Sequence, residues 1–260
     1  MKNRIDVERG RYWDYGWQII DGCTRCSPGC NNCWSLAMEK RFIKGLNEGR
    51  IVVQPDRLDR PLRRKKPTVY AVWNDLFHED VPFDFIHETY DVIKACPQHI
   101  FLALTKRPER MAEVANRIFS LERFGWAQGF WSHLWHGLTV CNQQEADEKI
   151  PIFLQVPGKK FLSIEPMLGP ISLRWIAAWN GMATKPRPST TNHLDGLRLI
   201  DAVVLGAESG RGARFMDFQW ARGIRNECQE AGVPFFLKHI SKKEGRVLDG
   251  RTHDDLPWIV

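Results

Sequence analysis

Nowhere in the 260 residues is there the run of about 18 apolar side chains needed to cross a bilayer, and the N-terminus lacks the apolar core of a secretory signal. A helical membrane protein is thereby excluded, and a soluble cytoplasmic protein is expected. No internal repeat and no low-complexity segment is found, which favours a single domain over a repeat array. His78, His87, His133, His136 and His253 show no metal-ligand spacing and are given no role. A disulfide framework is also missing. The seven cysteines are odd in number and gathered mainly at one place, which points to reduced thiols and a metal site.

That place is Gly22-Cys23-Thr24-Arg25-Cys26-Ser27-Pro28-Gly29-Cys30-Asn31-Asn32-Cys33-Trp34, where four cysteines fall within eleven residues. Thiolates crowded this closely are usually bridged by a soft metal or an iron–sulfur cluster. A zinc site is the rival reading. Structural zinc sites pair their cysteines across a longer loop, and C-x2-C-x3-C-x2-C leaves little chain for tetrahedral wrapping. Cys96, before Pro97, and Cys228, four residues after Ile224, read as core.

The net charge of +6 and a pI near 9.0 favour polyanionic partners, DNA or RNA, through counterion release. The basic residues are dispersed except for Arg63-Arg64-Lys65-Lys66, which reads as a solvated loop. With 43% hydrophobic residues the chain has material for a sizeable core.

Strands and helices alternate along it. Apolar, β-branched runs predict strands at 17–20, 68–73, 100–104, 136–140, 160–164, 202–206 and 234–238. Helices are expected over 33–44, over 82–96, after Pro108, after a cap at Asn142, and over 217–231 between Asp217 and Gly232. Seven strands with helical crossovers imply an α/β fold, one parallel (β/α) barrel, complete or partial. The domain would cover 1–245, with the cysteine loop at 22–34 and an inserted loop at 180–198. A tail, 246–260, would dock back through Leu256, Pro257, Trp258 and Ile259.

In such barrels chemistry gathers at the carboxyl ends of strands. Those ends carry the cysteines, then Asn74 and Asp75, Thr105-Lys106-Arg107, Cys141-Asn142, Glu165, Gly206-Ala207-Glu208-Ser209-Gly210, and Lys238-His239. Carboxylates, amides, cations and glycines on one face suit a zwitterionic nucleoside. Asn74, Asp75, Lys106, Glu165, Glu208 and Ser209 are the candidate cofactor-binding residues. For Asn74 and Asp75, capping of the next turn is an equal alternative. Glu165 is also a candidate catalytic residue, and so is Cys141, as a hydrogen-atom donor, with a packed thiol as its alternative.

Cys26, Cys30 and Cys33, a C-x3-C-x2-C pattern followed by an aromatic residue, resemble the cluster loop of radical S-adenosylmethionine (SAM) enzymes. Longer blocks are Asp75-Leu76-Phe77-His78-Glu79-Asp80-Val81-Pro82, Leu104-Thr105-Lys106-Arg107-Pro108-Glu109-Arg110-Met111, Glu165-Pro166-Met167-Leu168-Gly169-Pro170, Glu208-Ser209-Gly210 and Leu248-Asp249-Gly250-Arg251-Thr252. Through these the chain is similar, over nearly its whole length, to the phage and prophage three-cysteine-motif proteins related to radical SAM enzymes. The resemblance implies a radical-SAM-like barrel. Its three thiolates would hold a [4Fe–4S] cluster whose open iron takes SAM and yields a 5′-deoxyadenosyl radical. Metal ligands would be Cys30 and Cys33 with either Cys23, at the family's C-x6-C-x2-C spacing, or Cys26. Departures are Trp34 for the usual Tyr, Ala207 for a Gly, and Cys141 for an acidic residue.

The same resemblance implies DNA or a modified nucleotide as substrate, an external electron donor, and residence in the host cytoplasm for a phage-encoded member. The activity expected is thymidine hypermodification, isomerising a glycine-bearing thymine from N-linked to C-linked form. A target base inside a duplex would have to be flipped out. A non-catalytic iron–sulfur or zinc protein that binds nucleic acid is the competing expectation.

Overall fold

The structure is a computed structural model that describes residues 6–33, 35–36, 49–121, 131–178, 192–210, 212–241 and 245–259. Seven strands form one sheet: β1 (Tyr15–Trp17), β2 (Val69–Val72), β3 (Ile100–Thr105), β4 (Leu134–Thr139), β5 (Lys159–Ile164), β6 (Ala202–Gly206) and β7 (Phe235–His239). Spatial order follows chain order and every pairing is parallel. The sheet curls into a half-barrel with β1 and β7 at its edges, so the partial form of the barrel is the one observed.

Four long helices cross over between strands: α1 (Phe83–Lys94), α2 (Pro108–Leu121), α3 (Gln143–Phe153) and α4 (Phe218–Ala231). Their caps lie where the sequence puts them. Asn142 Oδ1 accepts from the Glu145 amide at 2.9 Å, Asp217 accepts from Gln219 at 2.8 Å, and Gly232 closes α4 at φ 69°. Apolar spacing on α1 puts Ile86, Tyr90 and Ile93 on one buried face against the sheet. Cys96 and Cys228 are wholly buried in that layer, as core residues.

Alternation along the strands sends a second set, Val69, Leu102, Trp135, Phe161, Val204 and Phe236, to the face turned away from the helices. An open half-barrel would leave this face wet, and both ends of the chain cover it. Tyr12 packs there from one side and Leu256 and Trp258 from the other. The Trp258 indole donates to the Tyr12 carbonyl at 3.0 Å, and its ring lies 4.7 Å from Trp135 and 5.4 Å from Phe161. The docked tail is thus an integral part of the core. Trp258→Ala should cost about 3–5 kcal/mol, the usual range for an emptied Trp site. A denaturant melt reads this directly, and an unchanged midpoint would contradict the packing described.

Two expectations need correction. The first strand ends at Trp17, earlier than the apolar run suggests, because Ile20–Asp21 turns away to pair antiparallel with Val52–Val53. Ile19 and Ile20 are fully buried by this route without joining the main sheet. The insertion at 180–198 lies mostly outside the described residues, but its end is structured. Asn192–Leu194 pairs antiparallel with Ile176–Ala178 as a short ribbon. The helix expected over 33–44 falls largely outside the described residues, with Ser35 and Leu36 helical.

Candidate functional site

At the carboxyl edge of the half-barrel lies a cavity of about 340 Å³. Cys23, Cys26, Cys30 and Cys33 all line it, together with Asn74, Asp75, Lys106 and Glu165. Six further positions, Tyr12, Trp13, Trp73, Leu102, Leu104 and Phe161, give it an apolar floor. Residues as far apart in sequence as Tyr12 and Lys238 meet at one site because parallel strands end on the same edge.

Local sequence shapes the cysteine loop. Gly22 takes φ 93°, and a Cβ there would stand 1.9 Å from the Arg50 carbonyl oxygen, so only glycine fits. Ser27 Oγ accepts from the Gly29 amide at 3.1 Å and caps a single 3-10 turn, Pro28–Cys30, that buries Cys30. Two arginines then clasp the loop from outside. Arg107 donates to Asp75 Oδ2 at 2.8 Å, to Glu79 at 2.7 Å, and to Thr24 Oγ1 at 2.6 Å. Arg214 pairs with Glu208 and donates to the Pro28 carbonyl at 3.0 Å, while Asn32 Nδ2 donates to Glu208 at 2.9 Å.

The carboxyl of Glu208 is drawn down to about 2, first by hydrogen bonds from Arg214, against the opposing effect of burial. A folded value below the ordinary carboxylate range means that this clasp is at full strength above that range. It is lost only as pH falls towards 2. Asp75 is equally committed: Thr105 Oγ1 donates to it at 2.6 Å and the Phe77 amide at 3.1 Å. Asn74, at φ 62°, donates to the Ile20 carbonyl at 2.8 Å and accepts from Ser35 at 2.5 Å. These three candidate ligand-binding residues therefore brace the loop and its flanks.

Lys106 differs from them. Among the described residues it has no hydrogen bond and no ion pair, yet it lies on the cavity wall. Burial would lower its pKa, but Cys30, Cys141, Cys33 and Asp75 around it raise it, so it stays charged. Within the loop the neighbouring Cys26 thiol is the main cause holding Cys30 below the usual thiol range, against burial and with help from Lys106. Cys30 and burial in turn hold Cys26 above it. Cys23 is pushed up to about 11, chiefly by burial and then by Asp75.

Across the cavity Glu165 takes Lys238 Nζ on both carboxylate oxygens at 2.7 Å. Ser209 lies elsewhere: with Glu208, Arg214 and Phe215 it lines a neighbouring cavity of about 630 Å³. Lys238 belongs to both walls.

Cys141 is fully buried and sits behind the loop, 3.8 Å from Ser27 Oγ, outside the cavity lining. Burial first, and Glu145 second, push its thiol up to about 12. A Cβ on Gly29 would come 2.4 Å from its sulfur. Gly29→Ala should therefore destabilise by about 1–3 kcal/mol through overpacking, and Cys141→Ala in the same chain should restore most of that. Thermal melts of both single variants and the pair test this; additive losses would contradict the contact.

Among the described residues no three His, Cys, Asp or Glu side chains gather closely enough for one metal ion. The four cysteines that line the cavity are nevertheless the donor type an iron–sulfur cluster takes, since each thiolate of a cube binds a separate iron.

Sequence reasoning missed Thr24, His78, Arg214 and Tyr12. His78, with no metal-ligand spacing, is buried and holds Thr24 at 2.7 Å. No regular spacing marks such contacts; only the adjacency of Thr24 to Cys23 could have suggested one.

No curated protein and no solved structure matches the chain. A family does: residues 9–257 match the one described as "Protein of unknown function (DUF5131)", and the chain belongs to that family.

Proposed function

We propose that the protein is a radical SAM enzyme. Cys30 and Cys33, with either Cys23 or Cys26, would hold a [4Fe–4S] cluster. The observation that carries this reading is the meeting of four cysteines and an unpaired ammonium, Lys106, in one cavity at the carboxyl edge of a parallel half-barrel. Such a cluster, once reduced, supplies the electron that cleaves SAM and opens hydrogen abstraction.

The chain's own residues bind and exclude. Lys106 offers a charge-assisted bond to a carboxylate brought beside the thiols. Glu165 and Lys238 present an acceptor and a donor side by side on the opposite wall, and Tyr12, Trp13 and Trp73 close the apolar end against water. The charge of +6 supports nucleic acid as the substrate class, and the proposed reaction is isomerisation of a glycine-bearing thymine in DNA from N-linked to C-linked form. That charge equally favours a second reading, a non-catalytic iron–sulfur or zinc protein that binds nucleic acid.

Anaerobic reconstitution with iron and sulfide, followed by reduction in the presence of SAM, separates them. A brown protein with about four irons per chain that cleaves SAM supports the enzyme, and one that leaves SAM intact supports the non-catalytic iron–sulfur reading. A colourless protein that takes up only zinc contradicts the cluster.

A further inference from the structure

Hydrogen-bond accounting at Thr24 leaves one proton over. The backbone N–H of Asp80 lies 3.1 Å from Nδ1 of His78, and a backbone amide can only donate. Nδ1 is therefore the bare ring nitrogen, and the ring hydrogen sits on Nε2, 2.7 Å from Thr24 Oγ1. The Glu79 and Asp80 carboxylates stand 3.7 and 3.8 Å from the ring nitrogens, beyond hydrogen-bond reach. Burial first, then Arg107, lower the pKa of this imidazole, which keeps it neutral.

Arg107 Nη2, also a pure donor, lies 2.6 Å from the same Thr24 oxygen. A hydroxyl has two acceptor positions and one proton. His78 and Arg107 fill both positions. Among the described residues nothing accepts the remaining proton, and Thr24 lines the cavity with all four cysteines.

We propose that Thr24 is a hydrogen-bond donor into the cysteine cavity and that its acceptor is a sulfur of the cluster held there; the identity of that acceptor rests on the cluster reading above. Arg107 and His78 fix the hydroxyl's rotation, which makes Thr24 a positioning and tuning residue. Hydrogen bonds to cluster sulfurs are one of the factors that set reduction potential, because they offset negative charge on the reduced cluster.

The decisive test needs no iron. Nitrogen-15 correlation spectra of the histidine rings at neutral pH should show His78 as the Nε2–H tautomer. The Nδ1–H tautomer would overturn the proposal, since Thr24 would then spend its proton on Nε2. In the reconstituted protein, Thr24→Val should move the midpoint potential to more negative values, while Thr24→Ser keeps it. Equal potentials for the two variants would overturn the assignment of the acceptor. If wild-type protein assembles no cluster, the cluster reading falls, and the tautomer alone decides whether Thr24 has a proton to give.

Discussion

Cys30→Ala and Cys33→Ala should each abolish the cluster. Even residues that only support a metal ligand lower affinity by 10–100-fold when removed, so loss of a ligand should weaken iron binding by at least about 100-fold. The visible band of the reconstituted protein would vanish with the iron count. Both cysteines belong to either possible triad, and both face the same cavity. Cys23→Ser and Cys26→Ser then divide the alternatives, because only the true third ligand should cost the cluster. Cys26 lines the cavity beside Cys30 and Cys33, and the Arg107 clasp fixes Thr24 beside Cys23, so each has a structural claim. A Cys30 variant with a full complement of iron would refute the site as described.

Lys106→Met carries the second large effect. Among the described residues this ammonium is the cavity-lining cation without a partner; Arg107 and Lys238 are each committed to carboxylates. A hydrogen bond to a charged group contributes about 1.5–3 kcal/mol, so removing it should weaken SAM binding on the order of 10–100-fold. Calorimetric titration of SAM into the reconstituted variant measures this, and Lys106→Arg should recover part of the loss. Unchanged affinity in Lys106→Met would show that the ammonium serves only to balance the thiolates.

Much of the architecture is legible in the residues because it rests on local rules. Val69–Val72, Ala202–Gly206 and Phe235–His239 are apolar runs bounded by turn residues, and the caps Asn142, Asp217 and Gly232 mark helix ends by their own hydrogen-bonding chemistry. The early turn after Trp17 is not legible. Trp17, Ile19 and Ile20 are all apolar, and what divides them is a partner strand some thirty residues away at Val52–Val53. The plug formed by Tyr12 and Trp258 is likewise a contact between chain ends, which no periodicity announces.

Within the site the composition of the strand ends is right, but the division of labour is not visible in it. Asp75 and Glu208 are carboxylates at strand ends, as a ligand-binding residue would be. Each is instead taken by an arginine, one 32 residues further along the chain and the other six residues on. Lys106 and Arg107 are neighbours in the chain with opposite fates, one free at the cavity and the other bound on three sides. Side-chain direction decides between them, and a strand end does not reveal it.

Release of 5′-deoxyadenosine from SAM by the anaerobically reconstituted, reduced protein tests the central claim most directly. The account predicts that the nucleoside appears with the wild-type chain and is absent with Cys30→Ala. An iron-replete wild-type protein that leaves SAM intact under strong reductant would contradict it.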